Sequence, residues 1–171
     1  EVHQQATHDG LTGFYNRRQF LDVVERELVR AARANAPLAF AILDIDLFKR
    51  INDSCGHLVG DSVLRQVTAT IRSGMRAGDV AGRIGGEEFG LLMPDLDAEA
   101  ALVHAQGLRV AVERTTFSFT AMARPVTISI GLASFGEANP DRASLMRAAD
   151  LALYRAKQTG RNRVVAAPGT A

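Results

Sequence analysis

The six-residue run Leu38–Leu43 (LAFAIL) constrains the fold of this chain more than any other feature of its sequence. All six residues are apolar, Pro37 precedes the run and Asp44 follows it. An apolar run this short, bounded by a turn residue and a charge, is typical of a buried strand. A strand without a polar face must be covered on both sides. The run therefore predicts a sheet with helices packed against it.

Four other segments have the periodicity of amphipathic helices. Asn16 resembles an N-cap, because Gln19 follows three residues later as in a capping box. Asn139-Pro140 resembles another helix start, with a cap residue followed by proline at the first helical position. The predicted helices run from Asn16 to about Ala34, from Asp61 past Ile71, from Asp97 to Arg114, and from Asn139 to Gly160.

Strand patterns alternate with these helices. Two of them flank Gly85-Gly86-Glu87-Glu88, which predicts a hairpin because glycine tolerates the positive φ of tight turns. The predicted strands are Leu38–Leu43, Asp79–Ile84, Phe89–Met93, Val126–Phe135 and Asn162–Val165. This order predicts a mixed α/β (α+β) fold, in which a central sheet is flanked by helices.

Length and charge exclude several classes of protein. The 171 residues suffice for about one domain, and their net charge of +1 argues against a broad basic surface for DNA. A single cysteine, Cys55, excludes an internal disulfide and favours a reducing compartment. The sequence contains neither a signal-peptide pattern nor an apolar run of the ~18 residues that a membrane helix needs. We therefore expect a cytoplasmic domain without membrane contact, although its parent protein could be anchored.

Acidic residues follow the central strand and form the hairpin turn. Asp44 and Asp46 lie two residues apart, so a strand places them on one face, where carboxylates can hold Mg²⁺. Glu87 and Glu88 add two acids, and neighbouring carboxylates repel unless a cation lies between them. A solvated loop start and an exposed hairpin tip are the simpler interpretations of each pair taken alone.

Two further pairs are compatible with a nucleotide. Lys157 and Arg161 lie at the end of the last helix, where cations suit the helix dipole but also a triphosphate. Asn52 and Asp61 flank a glycine-containing stretch and can read guanine, although cap and turn roles would also explain them.

Together these segments resemble the GGDEF domain family, the diguanylate cyclases. The resemblance extends from residue 8 to residue 165, in the family's order and spacing. It rests on the segments HDGLTGFYNRR (8–18), LDIDLFKRINDSCGHLVGDSVL (43–64), RAGDVAGRIGGEEFGLLMP (76–94), VTISIGLA (126–133) and ADLALYRAKQTGRNRV (149–164).

The resemblance implies a largely antiparallel sheet like the palm of nucleotidyl cyclases and polymerases. It implies that two GTP molecules are joined into cyclic di-GMP, a bacterial second messenger, with release of pyrophosphate. Mg²⁺ or Mn²⁺ would be the cofactor. Each domain would hold one GTP, so turnover would need a homodimer. An N-terminal sensor domain would belong to the parent protein.

The resemblance also assigns roles to residues. The metal would be bound by Asp44, the backbone carbonyl of Ile45, and Glu87. Glu88 would be the neighbouring acid required for activity, and Glu88, Glu87 and a metal-bound water are candidate proton acceptors. The remaining residues would bind substrate: guanine by Asn52 and Asp61, and phosphates by Lys49, Lys157, Arg161 and the Phe48-Lys49 backbone. The GGEEF form of the signature is expected to be active.

Arg76 and Asp79 have the spacing of the family's product-inhibition site, although RxxD is usually an ordinary surface ion pair. Two other functions stay open: a receptor that binds cyclic di-GMP without turnover, and a GTP-binding regulator of an attached phosphodiesterase. Retention of the signature acids favours catalysis.

The expected domain organisation is a signalling-helix stub at residues 1–7, a GGDEF domain at 8–166 and a frayed tail at 167–171. A domain with so short a stub is expected to be a monomer or weak dimer of low activity.

Overall fold

The computed structural model describes residues 6–117 and 125–169. Its helices are α1 (Arg17–Ala34), α2 (Phe48–Cys55), α3 (His57–Gly74), α4 (Ala98–Glu113) and α5 (Arg142–Gln158). Its strands are β1 (Leu38–Ile45), β2 (Val80–Arg83), β3 (Glu88–Pro94), β4 (Ile128–Ser134) and β5 (Val164–Ala166). Among these residues, no helix has both the length and the hydropathy of a membrane span.

The five strands form one sheet in the order β2-β3-β1-β4-β5. The central strand β1 runs antiparallel to both of its neighbours, and β2 runs antiparallel to β3. Among these five strands, only the pairing of β4 with β5 is parallel. The expected mixed, largely antiparallel sheet is therefore confirmed.

Helices cover both faces of the sheet, as the apolar run predicts. All eight residues of β1 are buried. Ala39, Ala41 and Leu43 belong to the core cluster that contains the buried residues of α2, α3 and α4. Phe40 and Ile42 belong to the cluster formed with α1 and α5. Because side chains alternate along a strand, Asp44 shares the α1/α5 face with Phe40 and Ile42.

A glycine in β4 lets α5 approach the sheet closely. A Cβ atom on Gly131 would collide with backbone atoms of Ala149 and Leu153, which cannot move aside as a flexible side chain can. The contact therefore requires glycine, and it fixes the path of α5 along the sheet. The last turn of α5, with Lys157, is thereby carried to the end of β1.

Of the two N-caps predicted from the sequence, one is confirmed and one is wrong. Asn16 caps α1 as predicted and accepts a hydrogen bond from the backbone N of Gln19 at 2.9 Å. The cap of α5, however, is Asp141, which accepts from the backbone N of Ser144 at 2.8 Å. Asn139 is instead buried, and its amide donates to the carbonyl of Ser134 at 3.1 Å. The prediction failed because two cap-type residues compete within three positions.

The sequence prediction also missed α2 and began α3 four residues late, at Asp61 rather than His57. Helix α2 is eight residues long and buries only Phe48 and Ile51, too few to show a period. At the C-terminal end, Ala167 is buried and its amide donates to the carbonyl of Leu132 at 2.7 Å. Residues 1–5 of the expected stub and 170–171 of the expected tail lie outside the described part of the chain.

Candidate active site

Two of the predicted acids are neighbours on adjacent strands. Asp44 of β1 is the direct Cα partner of Glu88 of β3. Side chains that face each other across an antiparallel pair have Cβ atoms about 4.5–5.5 Å apart. Like charges at such positions are destabilising. Strand register thus places two carboxylates together that the sequence separates by more than forty residues.

Lys157 reaches this acid pair from α5. Its Nζ donates to Oδ2 of Asp44 at 2.9 Å. The Asp44 side chain is 10% exposed and the Lys157 side chain 34% exposed, so the ion pair is only partly shielded from solvent. Lys157 therefore offsets part of the negative charge but remains accessible.

Burial and the charge of neighbouring acids raise the pKa of both Asp44 and Glu88. Burial is the main cause of the raised pKa of Asp44; Lys157 opposes the shift, and Glu87 and Asp46 add to it. Burial likewise raises the pKa of Glu88, with further contributions from Asp44 and Asp150. The site therefore carries more negative charge than one lysine balances, which favours binding of a cation.

The hairpin turn is fastened to the end of β1. The carbonyl of Glu87 accepts from the backbone N of Ile45 at 3.1 Å. This bond brings Glu87, which is partly exposed, next to the last residues of β1. Asp44, Ile45 and Glu87 are thus adjacent, as the resemblance implies.

Arginines that the sequence prediction did not assign hold the same hairpin. Arg83 Nη2 donates to the carbonyl of Gly86 at 2.7 Å, and Arg17 Nη1 donates to the carbonyl of Ile84 at 3.0 Å. Arg83 also pairs with Asp9 at 3.2 Å. Burial disfavours ionisation of Asp9, but hydrogen bonds from Thr12 and the charge of Arg83 outweigh it and lower its pKa. In the sequence, only the spacing of Asp9 and Thr12, which suits a turn, signals these contacts between the hairpin and the segment before α1.

The donor atoms around Asp44 fit a hard divalent cation. Carboxylate and carbonyl oxygens are the ligands that Mg²⁺ prefers. In residues 6–117 and 125–169, no three His, Cys, Asp or Glu side chains form a group arranged to hold a metal. This agrees with Mg²⁺ sites that use one or two carboxylates and are completed by substrate phosphates.

Asp46 does not join this donor set. Its carboxylate accepts from Thr127 Oγ1 at 2.7 Å, from Ser129 Oγ at 2.6 Å and from the backbone N of Asn162 at 2.9 Å. Asp46 is also absent from the metal ligands that the resemblance implies, which are Asp44, Ile45 and Glu87. The alternation of side chains along a strand predicts that Asp46 shares the face of Asp44, but it cannot reveal the hydrogen-bond partners of Asp46.

The predicted phosphate contacts lie on two sides of the end of β1. Phe48 and Lys49 form the first turn of α2, whose cap residue Leu47 has φ 56° and makes no side-chain cap hydrogen bond. Such a helix start presents backbone N–H groups and a positive dipole end. Lys49 is exposed there, and Arg161 is exposed in the turn between α5 and β5.

The predicted guanine pair lies on consecutive helices. Asn52 is on α2 and Asp61 on α3. A Cβ atom on Gly60 would collide with Oδ1 of Asn52, so the glycine lets the Asn52 side chain lie against the start of α3. Asp61 follows Gly60 directly in the chain, one residue after this contact.

Arg76 and Asp79 form a separate cluster at the other end of the hairpin. Arg76 Nη2 donates to Asp79 Oδ1 at 2.8 Å and to the carbonyl of Pro94 at 2.7 Å. The backbone N of Arg76 donates to Asp79 Oδ2 at 2.9 Å, and His104 Nε2 lies 2.7 Å from the same oxygen. Pro94 is six residues from Glu88 along β3, or about 20 Å.

Comparison with known proteins assigns the class. The family described as "Diguanylate cyclase, GGDEF domain" matches residues 6–163. The chain therefore belongs to the GGDEF family of diguanylate cyclase domains, and the resemblance drawn from the sequence is confirmed.

Individual relatives agree with this assignment. Diguanylate cyclase DgcP of Pseudomonas aeruginosa is 41% identical over 161 residues, which are 94% of this chain and 24% of that protein. The GGDEF domain of DgcB from Caulobacter crescentus, crystallised with c-di-GMP, matches with a TM-score of 0.90 and 35% identity over 99% of this chain and 97% of that one.

The active GGEEF domain of a diguanylate cyclase from Vibrio cholerae matches with a TM-score of 0.83 and 33% identity over 89% and 96% of the two chains. The chain spans only 24–40% of the length of the first curated relatives.

Proposed function

We propose that this domain joins two GTP molecules into cyclic di-GMP and releases pyrophosphate, in a reaction that depends on Mg²⁺ or Mn²⁺. The pairing of Asp44 with Glu88 across the sheet, together with the 2.9 Å ion pair between Asp44 and Lys157, carries the proposal. This pair combines a surplus of negative charge with a partly exposed lysine. A metal–triphosphate complex would satisfy both.

In each bond-forming step the 3′-hydroxyl of one GTP attacks the α-phosphate of the other. The O3′–P bond forms, the bond to the pyrophosphate breaks, and the hydroxyl proton passes to a base, for which Glu88, Glu87 and a metal-bound water are the candidates. A bound Mg²⁺ would supply Lewis acidity at the phosphoryl oxygens. Asp44, the Ile45 carbonyl and Glu87 would hold it, and Glu88 would extend the acidic site.

Cationic groups of this chain would bind the triphosphate. Lys157 and Arg161 would neutralise charge that develops on the departing pyrophosphate. Lys49 and the N-terminal amides of α2 offer a second set of donors. Asn52 and Asp61 would read the guanine edge, since a carboxylate accepts from its ring N–H and amino group.

A homodimer would complete the active site. Each domain offers one set of acids and one guanine pair, whereas the reaction needs two GTP molecules facing each other. The product has two equivalent linkages, so a two-fold symmetric pair of domains would make both by the same contacts. Association thus supplies the proximity on which the rate depends.

Feedback inhibition would act at Arg76 and Asp79. The guanidinium of Arg76 is 36% exposed and can donate to guanine O6 and N7. The c-di-GMP complex of the related DgcB domain supports product binding as a property of this fold. The strands of the hairpin connect this cluster directly to the signature turn.

The cellular context follows from the substrate. GTP is a cytoplasmic nucleotide, so we place the domain in the cytoplasm. The curated relatives are considerably longer than this chain, which supports an attached sensor domain in the parent protein.

Incubation with GTP and Mg²⁺, followed by chromatographic identification of the product, tests the proposal. We expect cyclic di-GMP and pyrophosphate from the unaltered chain and neither from Glu88→Ala. If GTP and the product bind but no turnover occurs at any protein concentration, the domain is a receptor rather than a cyclase.

A further inference from the structure

Asp46 has no part in the proposed metal site, yet it is the most fully hydrogen-bonded acid near it. Its exposed fraction is 8%. Both carboxylate oxygens accept hydrogen bonds: Oδ1 from Ser129, and Oδ2 from Thr127 and the backbone N of Asn162. Three of about four acceptor positions of the carboxylate are thus filled. This side chain therefore serves a local structure rather than an ion.

The local structure is the turn between α5 and β5. Arg161 and Asn162 have φ angles of 62° and 45°, a left-handed conformation that residues with side chains rarely adopt. Two such residues in succession need tertiary contacts to hold them. Asp46 supplies one contact to the Asn162 amide, and Arg109 supplies another to the Asn162 side chain at 2.9 Å.

We propose that Asp46 is a positioning residue that aims Arg161 at the phosphates of GTP. It acts through the backbone amide of Asn162, the residue that directly follows Arg161. This inference rests on the proposed function, because it takes Arg161 as a phosphate contact. It gives the second acid of the Asp44-Ile45-Asp46 sequence a role that differs from that of the first.

Three substitutions test the proposal through the dissociation constants of GTP and GMP. Asp46→Ala removes the acceptor of the Asn162 amide, and we expect GTP binding to weaken about tenfold, the size of one lost charge-assisted hydrogen bond. GMP lacks the outer phosphates, so its binding should not change. Asp46→Asn should stay within about twofold of the unaltered chain, because its amide oxygen can accept from Asn162 while its NH₂ group donates to the Ser129 hydroxyl.

Amide hydrogen exchange at Asn162 reports on the positioning directly. Exchange should be slow in the unaltered chain and in Asp46→Asn, and fast in Asp46→Ala. Should Asp46→Ala not fold, Asp46→Ser takes its place, since its shorter side chain stays polar but cannot span the same distance. Equal weakening of GTP and GMP, or an Asp46→Asn variant as weak as Asp46→Ala, overturns the proposal.

Arg161→Ala separates this inference from the proposed function. If Arg161→Ala leaves GTP binding unchanged, the assigned phosphate role of Arg161 is wrong. If Arg161→Ala weakens GTP binding, then Asp46→Ala in the same background should add almost nothing, because both changes remove one interaction. Additive losses in the double variant would show that Asp46 acts elsewhere.

Discussion

The two ends of the β2–β3 hairpin carry polar clusters of opposite character. At the turn end, Asp44 and Glu88 share one lysine, and burial raises the pKa of each. At the other end, the Asp79 side chain has no exposed surface and accepts from both Arg76 and His104. The first cluster carries more negative charge than its lysine balances. In the second cluster, both oxygens of the Asp79 carboxylate already accept hydrogen bonds from neighbouring donors.

This difference shows how one carboxylate becomes reactive and another structural. The ionised form of an acid that is buried beside other acids is unfavourable unless a cation or a proton binds to it. An acid surrounded by donors is already stabilised, and a ligand must displace one of them to gain access. Under the proposed function, the turn end would bind a metal–nucleotide complex, and the Asp79 end would have to rearrange to accept product.

The largest expected effect comes from neutralising the turn end. Glu88→Gln keeps the size of the side chain but removes its charge, and we expect turnover to fall by at least about 100-fold. Glu137→Gln, at an exposed turn residue, is the matched control and should keep its rate. A Glu88→Gln variant with normal turnover would mean that the surplus charge has no catalytic use.

Arg76→Ala should have the next largest effect. It removes the exposed guanidinium of the inhibitory cluster, so the inhibition constant of cyclic di-GMP should rise by about tenfold or more. Inhibition kinetics at several GTP concentrations provide the measurement. Arg76→Lys is the control for charge alone, and because lysine cannot bond to two atoms in a fork, it should restore little inhibition.

Asp61→Ser should relax the choice of base. The carboxylate would be lost as an acceptor for guanine donors, so the ratio of kcat/KM for GTP to that for ATP should fall about tenfold. Asp53→Ser, at an exposed residue of α2, is a suitable control. Unchanged discrimination would remove Asp61 from the base-reading pair.

His104→Ala tests whether the hydrogen bond from His104 keeps Asp79 from binding the product. Loss of the imidazole frees one acceptor position on Asp79, so product should bind a few-fold more tightly. His57→Ala, at an exposed residue of α3, controls for loss of a histidine. Weaker inhibition would instead show that His104 helps to bind the product.

The smallest effect concerns stability and pH. Because the pKa of Glu88 is raised in the folded chain, the folded state binds this proton more readily, and ionisation at neutral pH destabilises it. Glu88→Gln should therefore raise Tm at pH 7, by at most roughly 2–4 °C because solvent screens the partly exposed carboxylate. The gain should vanish below the ordinary glutamate pKa of 4.5, where both states are protonated.

Asp9, which pairs with Arg83 of the same hairpin, has a pKa shift of the opposite sign. Its lowered pKa means that its ionised form stabilises the fold above the ordinary aspartate value of 3.8, and this contribution is lost as pH falls through the folded-state pKa. Asp9→Asn should therefore lower the free energy of unfolding at pH 7, by less than about 1 kcal/mol because the ion pair is partly exposed, and Tm should fall with it. Thermal unfolding between pH 3 and pH 7 measures both changes.

Much of the fold was predictable because its signals are local. The apolar run of β1, the hairpin around Gly85-Gly86 and the Asn16 cap depend on neighbours within a few residues, and the structure confirms these elements. Neither hairpin glycine, however, adopts the positive φ that was expected of it. Helix α2 was missed because a helix of eight residues is too short to show a clear apolar periodicity. The Asp141 cap was missed because Asn139, another cap-type residue, lies two positions before it.

The sequence by itself determined which residues could do chemistry: the acids, the cations and the polar pair that could read guanine all stand in recognisable local patterns. Only the tertiary structure decided how they are used. Strand register set Asp44 against Glu88, and the path of α5 over Gly131 brought Lys157 to Asp44. The fold also hydrogen-bonds Asp46 to the backbone N of Asn162 and Asp79 to His104. These contacts join residues far apart in the chain, so no local pattern could encode them.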